Sequence, residues 1–423
     1  MSSIVIENDP YIVWDRLRSE EPIHWDSDID GWIISRYADV YPLVRNTTSL
    51  AQGYRQTPFH LISKNESKEA ANQKMSPNCP FSRLTKNWLR FIDGPNHTRF
   101  RKLVVEALPY NLSEPTNVER LRPLIQKHVD DLIDKVVDYH QMDVMTNLAI
   151  PLPFRTQASI LANASVEDFE KLWEPILSGI LNIFRLPGQM NSWTEETVKR
   201  SNQSTIELEK YFSILLEKRR KNPQNDFITR LVAAQKKDKT LTDLDILQLC
   251  LETTVGGIHE SSMALIGNGV YLLLSSGQFE LLKEEPKLAI KAVEEVLRYY
   301  TSPALTLRIA KEKIELGGKT IKKGQLVFLN LAAANRDPEK FSAPDHFDIT
   351  RPGENNGELA FGSGAHACIG RPLIRFVAQV VFETLASRLP KLKLQQWPRN
   401  AQHTLRFQNR SDLYLLESLP VTF

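Results

Sequence analysis

The pattern of apolar and polar positions near the N-terminus predicts short β-strands. Residues 23–25 and 32–35 are strand-like and flank an acidic turn that ends in an Asp-Gly pair, which is typical of a β-hairpin. Residues 51–90 are rich in Asn, Ser, Lys and Pro and show no clear period, so they predict a long irregular loop. We therefore expect a β-rich N-terminal part over about residues 1–50, followed by this loop.

Strand-like runs return in the last quarter of the chain. Residues 314–321 and 326–329 together predict a second small sheet. Residues 391–394 and 412–416 alternate between apolar and polar side chains and predict short strands. The C-terminal part is therefore expected to form β-hairpins.

The region from residue 97 to about 300 has the period of amphipathic helices. One helix is indicated by apolar side chains at three-to-four spacing, namely Leu121, Leu124, Val129, Leu132, Ile133 and Val136. Residues 186–189 break the helical pattern, and a second long helix is predicted to end at residues 219–221, just before Pro223. The chain as a whole is predicted to be mainly α with small β-sheets.

The segment from Thr242 to Ser276 predicts an unusually long helix. Thr242 and Asp245 have the spacing of a capping box, and Ser275 to Gly277 is a stop signal. A helix of this length would extend roughly 50 Å. Because it is apolar on most faces, it is predicted to be buried rather than amphipathic.

Charge and composition exclude several classes of protein. Fifty-three basic and fifty-one acidic residues leave a formal charge of +2, which argues against a dedicated nucleic-acid binder. The apolar run at the N-terminus is three residues long, too short for a signal peptide or a membrane anchor. The three cysteines form no C-x-x-C pair, so a zinc site is not expected. We expect a monomeric cytoplasmic protein that forms one domain over residues 1–423.

The candidate chemistry is concentrated in residues 361–370. Three glycines in this stretch predict a backbone that turns sharply and approaches a large flat group. Cys368 comes just before an apolar helix predicted from Pro372 onward, where free backbone N–H groups stabilise a thiolate. Such a thiolate suits an electron-donating ligand to haem iron. The alternative interpretation is an inert structural cysteine in a glycine-rich loop.

This loop resembles the F-G-x-G-x-H-x-C-x-G signature of the cytochrome P-450 family. All six fixed positions match, at Phe361, Gly362, Gly364, His366, Cys368 and Gly370. The resemblance implies the cytochrome P-450 fold, with haem b between the long buried helix and the helix after the cysteine loop. It also implies that Cys368 is the axial ligand to the iron, and that the chain is an oxidoreductase of the monooxygenase type.

Further residues match the family along the chain. Glu295 and Arg298 form its E-x-x-R pair, and Arg351 is implied to be the third member of a buried structural group. Cofactor contacts are implied for the following residues: His97, Arg101, Arg308 and His366 at the haem propionates, and Phe361 and Gly257 elsewhere on the haem. For each basic residue, the alternative is a solvated surface charge.

The long helix carries the family's oxygen-activating pattern with one departure. Aligning on residues 265–269 places Glu260 at the acid position and Ser261 at the alcohol position of a proton relay. Ile258 then stands where glycine is expected, and its β-branched side chain should reduce local loosening of the helix. An alternative register places Gly256 and Gly257 at the small-Gly pair, which leaves His259 and Glu260 at the acid and alcohol positions.

The resemblance also implies partners. Dioxygen-dependent members need two electrons, and we expect them from a separate ferredoxin or flavodoxin with its reductase. Arg371 and Arg375 are expected either to contribute to a docking patch for that partner or to be simply solvated.

Substrate contacts are implied at scattered positions that suggest an apolar cavity: Phe184, Leu186, Thr253, Ile258, Leu305 and Phe407. A small apolar organic or natural-product substrate is expected, with hydroxylation as the default reaction. Oxidative coupling of phenol-like rings and peroxide-driven oxidation are alternatives on the same centre. A haem sensor without turnover is the alternative from another class.

Overall fold

A computed structural model describes residues 10–52, 79–109, 115–162, 195–257, 260–352, 357–395 and 415–423. Most of these residues are helical, in α1 (Pro10–Glu20), α2 (Tyr37–Arg45), α3 (Pro80–Thr85), α4 (Gly94–Ala107), α5 (Pro115–Val118), α6 (Arg122–Asp134), α7 (Pro151–Gln157), α8 (Glu195–Lys221), α9 (Phe227–Lys237), α10 (Asp243–Gly257), α11 (Glu260–Ser275), α12 (Phe279–Glu284), α13 (Ala289–Tyr299), α14 (Leu331–Ala334) and α15 (Arg371–Arg388). The strands are β1 (Ile23–Asp26), β2 (Gly31–Ile34), β3 (Leu50–Gln52), β4 (Gln141–Asp143), β5 (Leu305–Ala310), β6 (Ile314–Leu316), β7 (Lys319–Ile321), β8 (Leu326–Asn330), β9 (Lys393–Leu394) and β10 (Pro420–Thr422). The predicted class, mainly α with small sheets, is confirmed.

The largest sheet has the strand order β1-β2-β8-β5-β3. The predicted N-terminal hairpin is confirmed, with Trp25 opposite Trp32 and a left-handed backbone at Asp30 (φ 50°) in the turn. The predicted second sheet is wrong. Within the segment predicted to form it, β6 and β7 pair with each other as a hairpin. Strand β8 instead lies between β2 and β5 in the large sheet. All five β8 residues are buried, as expected for a strand covered on both faces.

The prediction that residues 1–50 are β-rich is also wrong for the described part. Helices α1 and α2 occupy more of residues 10–50 than the strands do. The helical signal was present in α1, because its buried residues Tyr11, Trp14 and Leu17 follow the three-residue spacing of one helical face. The N-terminal hairpin pairs through β2 with β8, which comes from residues 326–330, far along the chain.

Two further predictions are corrected, one for the expected irregular loop and one for the C-terminal strands. Residues 80–85 of the expected irregular loop form α3, which has Pro80 at its first turn, while residues 53–78 lie outside the described residues. Near the C-terminus, β9 pairs with β10 and β10 pairs with β4. The strand predicted at 412–416 falls largely outside the described residues, and β10 was not predicted.

The long buried segment is represented by α10 and α11, and residues 258–259 between them lie outside the described residues. Helix α11 packs against α13 and α15 in the largest hydrophobic core. A side-chain carbon added at Gly269 would clash with the ring of Phe382 on α15, so glycine allows the two helices to approach closely. Among the described residues, none of the helices combines the length and apolar character that crossing a bilayer would need.

Thr242 caps the N-terminus of α10, as the capping-box spacing predicted. Its hydroxyl accepts the Asp245 N–H at 3.1 Å, and the Asp245 carboxylate accepts the Thr242 N–H at 2.9 Å. We expect Thr242→Ala to lower the free energy of unfolding by about 1 kcal/mol, measured by urea denaturation. Thr242→Ser keeps the hydroxyl and should lose much less. Equal losses in the two variants would contradict a capping role.

Candidate active site

A cavity of about 380 Å³ lies between the long buried segment and the cysteine loop. One wall comes from α10 and α11, including Thr253, Gly256 and Ser261. Another wall comes from the loop that precedes α15 and from α15 itself, including Cys368. The cavity therefore lies where the sequence placed a large flat cofactor.

The loop before α15 holds Cys368 in a fixed position. Gly362 (φ 66°) and Gly364 (φ 75°) have left-handed backbones, which a residue with a side chain rarely adopts. The Cys368 N–H donates to the Phe361 carbonyl at 3.0 Å, which closes the loop. Helix α15 begins three residues later, at Arg371. The cysteine therefore stands at the entrance to a helix N-terminus.

Opposing effects act on the Cys368 thiol. Protein atoms surround it closely, yet its side chain keeps accessible surface because it borders the cavity. Burial raises the pKa of the thiol, while the backbone N–H groups of Gly370 and Arg371 and the Arg101 guanidinium act to lower that pKa. Burial wins in the polypeptide alone. Iron bound to the sulfur would add a positive charge that favours the thiolate.

Two histidines from distant parts of the chain meet at the cavity. The rings of His97 and His366 are 4.0 Å apart between centroids. His366 Nε2 lies 2.9 Å from the Asp93 carboxylate, whereas His97 Nε2 is buried without a hydrogen-bond partner in the described part of the chain. Burial, with the nearby His366 and Arg101, lowers the pKa of His97 to about 4, so this imidazole is neutral at pH 7.

Asp93 sets the orientation of His366. Its carboxylate also accepts the Gln52 N–H at 2.9 Å. Although burial acts to raise the pKa of Asp93, the hydrogen bond from His366 and the Gln52 N–H hold that pKa below its usual range. The carboxylate of Asp93 is therefore ionised, and its contact with Nε2 fixes the orientation of the His366 ring.

The two predicted arginines also line the cavity. Arg101, on α4, donates to the Ala367 carbonyl at 2.7 Å, next to Cys368. Arg308, on β5, donates to the Thr306 hydroxyl at 2.9 Å and to the Leu307 carbonyl at 2.8 Å. Burial lowers the pKa of Arg101. Both guanidiniums are still charged, so two cations and two imidazoles border the same space.

These features fit haem b. The thiol supplies a soft ligand for iron on one wall, and the orphaned His97 Nε2 and the two arginines supply partners for carboxylates. A side-chain carbon added at Gly256, on the opposite wall, would meet no atom of the described residues within 4 Å, so those residues leave open space there. Phe361 also lines the cavity, under the Arg375 guanidinium at 5.4 Å.

The predicted ion-pair group lies behind the cysteine loop. Arg298 donates to both carboxylate oxygens of Glu295 at 2.8 Å, and Arg351 Nε lies 3.2 Å from the same carboxylate. Glu295 is 3% exposed and Arg298 is 1% exposed. The Asp348 N–H also donates to Glu295, at 2.9 Å. These contacts tie α13 to the segment that leads to the cysteine loop.

The remaining predicted residues lie in the cavity wall, at the ends of α10 and α11, or outside the described residues. Leu305 is buried and Thr253 half-buried, and both line the cavity. Gly257 ends α10 and Glu260 begins α11. The side chain of Glu260 and the following residues lie outside the described residues: Phe184, Leu186, Ile258 and Phe407.

The interpretation of Arg375 as simply solvated is wrong. Its guanidinium donates to Glu294 at 2.9 Å and also to Glu358, and its side chain is 16% exposed. Burial raises the pKa of Glu294 to about 7, against the effect of Arg375. Arg375 is thus held in a largely buried ion-pair cluster, and its contribution to a docking patch stays a prediction. The sequence showed no sign of this, because the two acids come from separate segments.

Sequence reasoning also missed polar residues of the cavity wall. Glu252 and Gln52 line the cavity, and Asp93 orients His366. Asp93 could have been found from its position just before the helix that carries His97. Glu252 looked like one more residue of a long helix, and only its burial beside the cavity singles it out.

Comparison with known proteins agrees with this site. The family model for cytochrome P-450 matches residues 284–408, which include the cysteine loop. The biotin biosynthesis cytochrome P-450 of Bacillus subtilis is 33% identical over 427 residues, covering 100% of this chain and 98% of the relative. The 6-deoxyerythronolide B hydroxylase of Saccharopolyspora erythraea is 33% identical over 311 residues, covering 71% of this chain and 70% of that enzyme.

Solved structures share the whole architecture. A crystal structure of the cytochrome P-450 BioI, in complex with acyl carrier protein ligated to hexadec-9Z-enoic acid, superposes with a TM-score of 0.83. It is 31% identical, and the match covers 98% of each chain. Sequence, fold and site therefore agree: the chain belongs to the cytochrome P-450 family and is a monooxygenase whose cofactor is haem b.

Proposed function

We propose that this chain hydroxylates a small, mostly apolar organic or natural-product molecule, using dioxygen and two electrons from a separate ferredoxin or flavodoxin with its reductase. The observation that carries the proposal is the cavity that has Cys368 on one wall and the Ser261 segment on another. We also propose that the chain is a single domain over residues 1–423, monomeric and cytoplasmic.

Different residues of the chain are assigned to ligation of the iron, to propionate binding and to orientation of the substrate. Bound haem supplies the iron at which dioxygen is reduced and an oxygen atom is activated. Cys368 holds the iron, and His97, Arg101, Arg308 and His366 bind the propionates. The apolar wall, which includes Leu305, excludes water and orients the substrate.

Proton delivery is assigned to Glu260 and Ser261. The Ser261 hydroxyl belongs to a residue of the cavity wall, where it can pass a proton inward. Glu260 directly precedes it on α11 and supplies the acid. This pair supports the use of dioxygen over peroxide, because a peroxide-driven reaction needs no such relay.

The test combines binding with product analysis. A compound library is screened for a shift of the ferric haem from low to high spin. Each hit is then incubated with a ferredoxin, its reductase, a reduced nicotinamide cofactor as the electron source, and isotopically labelled dioxygen. The expected product carries one labelled oxygen atom. A dimer without label would favour phenol coupling over hydroxylation, and binding without any product would favour a haem sensor.

Ser261→Ala tests the proton relay. The variant should keep the haem spectrum, because the changed side chain is not a haem ligand. Product formation is expected to fall on the order of a hundredfold, the contribution of a positioned proton donor, while electrons continue to be consumed and end as hydrogen peroxide. The ratio of product to electrons consumed is the measurement.

Ser262→Ala is the matched control for this prediction. Ser262 is the next residue, is buried, and also lines the cavity. It should keep the ratio of product to electrons near that of the unmodified enzyme. If Ser261→Ala keeps the ratio and Ser262→Ala lowers it, the assignment of the alcohol to Ser261 is wrong.

A further inference from the structure

Glu252 is a carboxyl group in the cavity wall to which the monooxygenase chemistry assigns no role. It lies on α10, one helical turn before Gly256, and both residues line the cavity. The proposed proton relay lies further along at Ser261. The side chain of Glu252 is half-buried and one of its carboxyl oxygens is fully buried, so its position calls for a ligand or a structural reason.

The two oxygens of Glu252 have different surroundings. Oε1 accepts the Arg90 N–H at 3.3 Å, and the Leu89 N–H also binds the carboxyl group. Oε2 is buried and has no hydrogen-bond partner within the described ranges. The nearby Thr253 hydroxyl donates to the Leu249 carbonyl instead. A buried acceptor without a donor is costly, so a ligand that brings a donor gains affinity.

The same face of α10 borders open space. A side-chain carbon added at Gly256, four residues after Glu252, would lie more than 4 Å from every atom of the part of the chain that the structure describes. The surrounding wall is largely apolar and includes Leu89, Trp88 and Val255. The site thus offers one hydrogen-bond acceptor on an apolar background, and this arrangement fixes ligand orientation in many binding pockets.

The charge state of Glu252 is sensitive to what lies beside it. Burial raises the pKa of its carboxyl group to about 7, while the N–H groups of Leu89 and Arg90 and the Arg90 guanidinium act to lower that pKa. A donor on a ligand would favour the carboxylate further. Arg90 lines the cavity as well, so it is the competing anchor for a negatively charged molecule.

The geometry points to Glu252 as the residue that selects substrates carrying a hydrogen-bond donor, a hydroxyl or an ammonium group, on an otherwise apolar body. This inference rests on the proposed function, because it takes this cavity as the place where the substrate binds. The backbone N–H groups at Oε1 hold the carboxyl group in place, and Oε2 receives the donor.

The test compares dodecanol, dodecylamine and dodecyl methyl ether as ligands of the haem-loaded full chain. In the unmodified protein we expect dodecanol to bind about tenfold more tightly than the ether, because only the alcohol can donate to Oε2. Glu252→Gln keeps an acceptor for the backbone N–H groups and puts an NH₂ donor at Oε2. The preference should therefore reverse towards the ether.

Binding of dodecylamine shows whether an ammonium or a hydroxyl group is the preferred hydrogen-bond donor. If Glu252→Gln weakens the amine more than the alcohol, the ammonium group is the preferred donor, and the reverse order identifies the hydroxyl. An amine nitrogen bound to iron cannot also donate to Oε2, so only the affinity that accompanies a shift of the ferric haem from low to high spin is compared between the two proteins. Equal affinities before and after the substitution, for both ligands, would overturn the inference.

Three further readouts keep the inference falsifiable. Glu315→Gln, on the exposed β6–β7 hairpin, should leave every ligand ratio unchanged. If the unmodified protein itself shows no preference for dodecanol over the ether, the inference fails even where Glu252→Gln does not fold. If dodecanoate binds and Glu252→Gln strengthens it while the alcohol is unaffected, Arg90 is the anchor and Glu252 is not.

Failure of this inference can be told from failure of the proposed function. The proposed function requires the thiolate-bound haem spectrum and oxidised product. If both are present and the ligand preferences do not depend on Glu252, only the assignment of Glu252 is wrong. If the spectrum or the product is missing from the unmodified chain, the proposed function itself fails, and the inference falls with it.

Discussion

Cys368→Ser is expected to abolish the red-shifted Soret band that carbon monoxide gives with reduced, thiolate-bound haem. Among the described residues, Cys368 is the only cysteine that lines the cavity, and its loop is fixed by the bond from its N–H to the Phe361 carbonyl. A serine hydroxyl ionises far less readily than a thiol, so it cannot replace the anionic, electron-donating ligand. Monooxygenase turnover should be lost with the band.

Cys79→Ser is the matched control for this prediction. Cys79 is buried, and its thiol donates to the Asn202 side chain at 3.1 Å, a bond that a serine hydroxyl can also make. This variant should keep the Soret band and bind haem as the unmodified chain does. A band that survived in Cys368→Ser, or vanished in Cys79→Ser, would contradict the assignment of the axial ligand.

The sequence predicted helices and local turns better than it predicted strand partners. Helix α8 ends at Lys221 as the Pro223 stop signal indicated, and Thr242 caps α10, because such signals lie within a few residues of each other. Strand β8 was assigned to the wrong sheet because its partner β2 is far away in the chain. No local pattern encodes such a pairing.

The same difference between local signals and contacts across distant segments applies to the residues of the site. The cysteine loop was recognisable because its chemistry is contained in ten consecutive residues. The link between His366 and Asp93, and the position of Arg375 between Glu294 and Glu358, join segments that only the folded chain brings together. The role proposed for Glu252 depends on its position in the cavity wall, and the sequence does not show where a helix borders a cavity.

Glu295→Gln, in the buried ion-pair group, is expected to lower the free energy of unfolding strongly. The Glu295 carboxylate accepts hydrogen bonds from Arg298 and from the Asp348 N–H, and Arg351 lies 3.2 Å away. Glu295→Gln would leave two guanidinium groups without their buried counter-charge. Because an uncompensated buried charge is strongly unfavourable, we expect a loss of about 3–5 kcal/mol in the free energy of unfolding, measured by urea denaturation.

Comparison with an exposed group of ion pairs decides whether burial is the cause of the stability loss expected for Glu295→Gln. Arg388 on α15 pairs with Asp130 at 2.9 Å and with Asp134 at 2.5 Å, and all three side chains are at least about one-third exposed. Arg388→Ala should therefore cost no more than about 1 kcal/mol. Because α13 carries Glu295 and also packs against α15, Glu295→Gln should in addition weaken haem retention, which Arg388→Ala should not. If the two variants lose the same stability and retain haem equally, the group around Glu295 does not hold the cysteine loop in place.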